Sequence, residues 1–164
     1  MMIVATGRGS ALPLPLWLGA SADHGGEAAF LTDDAAAGQS PLRGRRVLVV
    51  EDEVFIALDL EQALGAVGAD VVRARTVSQA LQAVSEEAFD VAVLDVTLGR
   101  SETCRPVAAA LREAGTPFLL HSGDLDRQGE VITGLDAPLV PKPAPADAVV
   151  RAAARLLEAP LGRG

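Results

Sequence analysis

From Arg45 onward, short uninterrupted runs of aliphatic residues alternate with stretches of helical periodicity. Val47 to Val50 is continuously apolar, which predicts a strand buried on both faces. Ile56, Leu60, Ala63, Leu64 and Val67 then fall on one face of a helix that Gly68 stops. Asp70 to Ala74 predicts a second strand. Thr76-Val77-Ser78-Gln79 is a capping-box sequence opening a helix with Val77, Ala80, Leu81 and Val84 inward. Val91 to Leu94 predicts a third strand, followed by a helix starting near Pro106, with Val107, Ala110, Leu111 and Ala114 on one face and Gly115 at its end. Pro117 to Leu120 predicts the fourth strand and Ala137 to Val140 the fifth. Between them, 125–135 reads as a helix weakened by Gly129 and Gly134, each costing about 1 kcal/mol against alanine. Val149, Val150, Ala153, Leu156 and Leu157 line a last helix.

Five buried strands, each joined to the next through a helix, predict an α/β fold: a parallel sheet covered on both faces, with right-handed crossovers. Ligands in such sheets bind at the carboxyl ends of the strands. Residues 1–44 have another texture, rich in Gly, Ala and Pro and without a sustained period, and are expected to be a disordered extension. The expected organisation is this extension, a domain over 45–158 and a short tail over 159–164. Leu12 to Leu18 is apolar ahead of small residues, like a secretory signal, but two prolines interrupt it and only Arg8 precedes it as a positive charge. It is also too short to span a membrane as a helix.

A chain of 164 residues with 49% apolar residues can bury a core without disulfide or metal staples. Its net charge of -8 argues against nucleic acid or an anionic membrane as partner, because both need basic surface. Protein partners are expected instead. Cys104 is the only cysteine, so it forms no internal disulfide and matches no metal-ligand spacing, which suits a reducing cytoplasm. With no partner histidine indicated, it reads as a structural thiol. Among 14 basic residues Lys142 is the only lysine, which on composition alone is equally a chance survivor or a position that needs a compact, flexible ammonium.

The polar residues at the strand ends carry the chemistry. The first strand runs into Glu51-Asp52-Glu53, the third into Asp95, the fourth into Ser122 and the fifth into Lys142. Neighbouring carboxylates form a hard oxygen site suited to Mg²⁺, and a divalent ion explains how they stay ionised together. A phosphoryl group on one carboxylate would need positive charge and donors, which Lys142 and the Ser122 hydroxyl supply. Taken singly, each residue also fits a loop, cap or turn. Four such positions at one end of four core strands favour the functional reading.

These residues resemble the receiver domain of two-component response regulators. The resemblance covers about Arg45 to Glu158 and rests on Val47-Leu48-Val49-Val50-Glu51-Asp52-Glu53, Val93-Leu94-Asp95-Val96-Thr97-Leu98, Ser122-Gly123 and Lys142-Pro143. It implies a doubly wound five-stranded parallel sheet in the order 2-1-3-4-5, a flavodoxin-like fold. It implies Asp95 as phospho-acceptor, with Mg²⁺ held by Asp52, Asp95 and the Thr97 carbonyl, and by Glu51 partly through water. Ser122 would be the hydroxyl switch and Lys142 the phosphoryl-binding lysine. The implied protein is a cytoplasmic, stand-alone regulator that accepts a phosphoryl group from a sensor histidine kinase or phosphotransfer protein. It would signal by contact with a downstream protein or act as a phosphate sink, turning over no external substrate.

Three positions depart from the family pattern. Gly99 stands where proline is frequent, so a looser acceptor loop is expected. Leu139 replaces the switching aromatic that often lies three residues before the lysine. Leu120-His121-Ser122-Gly123 keeps only the hydroxyl and glycine of a Phe-Ala-Thr-Gly subgroup of stand-alone receivers, and His121 reads as structural. Two alternatives remain open. A Mg²⁺-dependent aspartyl phosphatase of haloacid-dehalogenase type would place Asp-x-Asp after its first strand, where this chain has Glu51-Asp52-Glu53. A phosphorylation-independent interaction module would keep the acidic site only as ancestry.

Overall fold

The computed structural model describes residues 40–99, 102–123 and 133–158. The expected extension, its apolar run at 12–18 and the tail over 159–164 lie outside them, apart from residues 40–44. In chain order the elements are β1 (Arg46–Val50), α1 (Val54–Ala66), β2 (Asp70–Ala74), α2 (Val77–Glu86), β3 (Val91–Leu94), β4 (Thr97–Leu98), β5 (Glu102–Thr103), α3 (Arg105–Glu113), β6 (Phe118–Ser122), β7 (Leu139–Pro141) and α4 (Ala146–Glu158). Residues 133–135 are helical, whereas most of the helix expected over 125–135 lies outside the described residues.

Five strands form one parallel sheet in the order β2-β1-β3-β6-β7, which is the expected order 2-1-3-4-5 counted over the strands of that sheet. Successive side chains point to opposite faces, so the sheet has two cores. Leu48, Val50, Leu94 and Leu120 face α2 and α3, packing with Val77, Ala80, Val107 and Leu111. Val47, Val49, Val93 and Leu119 face α1 and α4, packing with Leu60, Leu64, Val149 and Ala153.

The capping sequence works at one end only. Thr76 caps α2 by accepting from the Gln79 N–H at 3.2 Å, but the Gln79 side chain accepts from the Arg75 N–H at 2.9 Å rather than from that of Thr76. Three sequence expectations are corrected. β6 extends through Ser122, because Lys142 N–H donates to the Ser122 carbonyl at 2.8 Å and keeps the ladder going past Leu120. β7 begins at Leu139, two residues later than expected, after Pro138. In α3 the buried face contains Ala108, while Ala114 lies exposed at the C-cap.

Residues 40–44 precede the expected boundary at 45 and form a turn in which Leu42 is fully buried in the core shared with Leu60 and Leu64. Gly44 N–H ties this turn to the Gly68 carbonyl at 2.8 Å. Among the described residues no helix is long and apolar enough to cross a membrane.

Candidate acidic site at the carboxyl edge of the sheet

Register explains which side chains meet. Val50, Leu94 and Leu120 are aligned across β1, β3 and β6, so the next residues, Glu51, Asp95 and His121, form a row turned to the opposite face. Lys142 lies two residues beyond Val140, the partner of His121, and therefore shares that face. Asp52 and Ser122 belong to the next row, on the α2 and α3 side. The ladder persists to this level, with Glu51 N–H donating to the Ala74 carbonyl at 3.0 Å and Asp95 N–H to that of Val50 at 2.8 Å.

The Lys142 ammonium sits among the carboxylates. It donates to Asp95 Oδ2 at 2.7 Å and to Glu51 Oε1 at 3.0 Å, and lies 2.8 Å from Glu51 Oε2. Exposed Glu53 is more distant, with Oε1 at 3.9 Å. Glu51 is only 1% exposed and Asp95 7%, so the ammonium offsets charge that water cannot reach. Burial pushes the Glu51 carboxyl up to about 7, against the Lys142 hydrogen bond and with the Asp95 charge adding to the rise. Burial opposes charge on Lys142 too, but bonds and attraction from Asp95 and Glu51 outweigh it and raise its pKa. The Lys142-Pro143 peptide is cis.

Glu51, Asp52 and Asp95 each offer an oxygen within 4.8 Å of the others. Three hard oxygen donors at one point match the chemistry of Mg²⁺, so the residues fit a divalent cation. Backbone amides order the set. Thr97 N–H donates to Asp95 Oδ1 at 3.3 Å, Glu53 N–H to Glu51 Oε1 at 3.3 Å and Gly99 N–H to Asp52 Oδ2 at 3.1 Å.

The Gly99 contact revises the expectation of a looser loop. Gly99 adopts φ +67°, which proline cannot reach, and donates an N–H that proline lacks. The residue that breaks the family pattern thus ties its loop to Asp52. Immediately around it, β4 and β5 pair antiparallel, Thr97 with Thr103 and Leu98 with Glu102. Two-residue strands leave no periodic signal, and the sequence pattern did not indicate this ribbon.

Ser122 is fully buried at the end of β6, on the same edge as the carboxylates. Leu139 is half-buried at the start of β7, aligned with Leu120 and packed on the α2–α3 core. Buried Cys104 has its thiol pushed up to about 12 by burial and the Asp95 charge, which makes it inert at neutral pH. His121, read from sequence as structural, is 3% exposed with Nδ1 4.0 Å from Glu51 Oε2. Burial and the nearby Lys142 charge lower its pKa to about 4, so the ring is neutral.

No family model and no curated protein matches the sequence. Solved structures do. A response regulator receiver protein from Sinorhizobium medicae WSM419 matches at 25% identity and TM-score 0.64, covering 72% of this chain and 98% of its own. The BeF3-activated DrrB receiver domain matches at 26% identity and TM-score 0.60, covering 70% and 98%. A CheY-like receiver domain protein from Methanospirillum hungatei JF-1 shares the fold at 22% identity and TM-score 0.63, covering 70% and 94%. With the sheet order and the acidic edge, these matches show that the described residues have the fold of a response-regulator receiver domain.

Proposed function

We propose that this protein is a response regulator in a two-component phosphorelay, taking a phosphoryl group on Asp95 from a sensor histidine kinase or phosphotransfer protein. The observation that carries the reading is the Lys142 ammonium, 2.7 Å from Asp95 Oδ2, beside a cluster of carboxylates at the sheet edge. In the transfer, a carboxylate oxygen of Asp95 bonds to phosphorus as the nitrogen–phosphorus bond of a phosphohistidine breaks. The electron pair leaves with the imidazole. Lys142 orients toward the phosphoryl oxygens and balances their charge, and Ser122 serves as the hydroxyl switch.

Glu51, Asp52, Asp95 and the Thr97 carbonyl would hold Mg²⁺, which when bound supplies positive charge beside the acceptor. The proposed setting is cytoplasmic, without turnover of an external substrate. The output is contact with a downstream protein or uptake of phosphoryl groups from a shared kinase.

Protein partners have surface to use. Val54, Leu58 and above all Phe55, which is 87% exposed, place apolar side chains at the start of α1. A groove of about 600 Å³ that includes Phe55, Lys142 and Pro143 lies beside them. An apolar helix face bearing the donor histidine suits this position. The test is phosphodonor labelling of wild type and Asp95→Asn. Acid-stable, base-labile label in the wild type and its loss in the variant are expected, and undiminished labelling of the variant would sink the assignment.

A further inference from the structure

His121 is not explained by the chemistry above. Among the described residues neither of its ring nitrogens has a hydrogen-bond partner, although the side chain is almost wholly buried. Burying polar groups unpaired costs stability, so an apolar residue would serve a purely structural role better. Its position suggests what the ring is for. Nδ1 lies 4.0 Å from Glu51 Oε2, the oxygen that Lys142 Nζ approaches at 2.8 Å.

We propose that His121 is a positioning residue that donates its Nδ1–H to Glu51 Oε2 when Lys142 turns toward a phosphoryl group on Asp95, stabilising the phosphorylated form. The inference rests on the acceptor reading. Forming an acyl phosphate moves the negative charge from the Asp95 carboxylate out to the phosphoryl oxygens, and a flexible ammonium follows it. Glu51, at 1% exposure, then loses the ammonium contact to its Oε2. Its Oε1 keeps the Glu53 N–H at 3.3 Å, so Oε2 is the atom in need of a donor. Closing the gap to hydrogen-bond length takes a shift of about 1 Å, within reach of a ring reorientation. A neutral imidazole can donate this bond without adding a second cation against Lys142.

The test uses the full chain, with beryllofluoride and Mg²⁺ as the phosphoryl mimic, and compares wild type, His121→Val and His121→Asn. His121→Val is expected to bind the mimic about tenfold more weakly, the effect of losing one hydrogen bond to a charged group. Asn carries an amide nitrogen near the Nδ1 position, and His121→Asn is expected to recover most of the affinity. In the wild type, ¹⁵N spectra should show the His121 Nδ1 proton becoming hydrogen-bonded on addition of the mimic, a signature that a merely structural ring would not give. Equal affinities of wild type and His121→Val, or an unchanged Nδ1 signal, would overturn the positioning role while leaving Asp95 as acceptor. If the wild type neither binds the mimic nor takes label, the acceptor reading falls and this inference with it. Should His121→Val fail to fold, the wild-type Nδ1 signal decides.

Discussion

Replacing Lys142 by Met removes the ammonium while keeping an unbranched side chain of similar length, and its cost should depend on pH in a calculable way. Asp95 loses a charge-assisted hydrogen bond of 2.7 Å in a buried setting, worth about 1.5–3 kcal/mol at any pH where the carboxylate is ionised. Glu51 behaves differently because it can take up a proton. Its folded value of about 7 lies above the ordinary 4.5, so wild-type stability falls as pH rises from 4.5 through 7 and this group contributes no further slope above that. Without Lys142 the folded value rises further, and the fall continues above pH 7 at up to about 1.4 kcal/mol per pH unit. Lys142→Met is therefore expected to cost about 2 kcal/mol at pH 6.5 and about 3–4 kcal/mol at pH 8. Urea unfolding at several pH values, monitored by circular dichroism, measures both. A cost that stays constant or shrinks between pH 6.5 and 8.5 would refute the coupling of Lys142 to Glu51.

Three further outcomes follow from the geometry. Because the proton on Glu51 must leave before that carboxylate can help hold a cation, Mg²⁺ affinity by calorimetry is expected to drop about tenfold from pH 8 to pH 6, around the Glu51 value of about 7. A pH-independent affinity would exclude Glu51 from the cation site. Gly99→Ala is expected to cost about 1 kcal/mol in unfolding experiments, from forcing a side chain into φ +67°, and to weaken Mg²⁺ binding by disturbing the amide on Asp52. Wild-type values for both would argue that this loop does not order Asp52. Leu42→Ala is expected to lower unfolding free energy by about 2–5 kcal/mol with labelling of Asp95 retained, since Leu42 fills the core at the end of β1 opposite to the carboxylates. A loss under 0.5 kcal/mol, the range of surface changes, would mean that residues 40–44 are not part of the folded unit.

How far the sequence could be read depended on the kind of signal. Asp70 to Ala74 and Val91 to Leu94 were predicted with their observed limits, because short β-branched stretches between helix ends and turn residues leave little freedom in placement. The meeting of Glu51, Asp95 and Lys142 was also legible, since each follows a core strand. What pattern alone did not resolve was the pleat, which turns Glu51, Asp95, His121 and Lys142 to one face and Asp52 and Ser122 to the other. That division depends on register between strands, a property of pairs rather than of any one segment. Leu42 was hidden by a Gly- and Pro-rich neighbourhood whose texture says nothing about a single buried anchor. Gly99 was expected to loosen its loop; the structure gives its amide a partner 47 positions away, on a different strand end.

The central claim is that Asp95, and no other carboxylate of the cluster, carries the phosphoryl group. Reduction of the phosphorylated protein with borohydride converts an aspartyl phosphate to homoserine, and peptide mass spectrometry then locates it. The account predicts homoserine at position 95 alone. Homoserine at position 52, the reduced alcohol of glutamate at position 51 or 53, or no reduced residue in a protein that carries label, would contradict it.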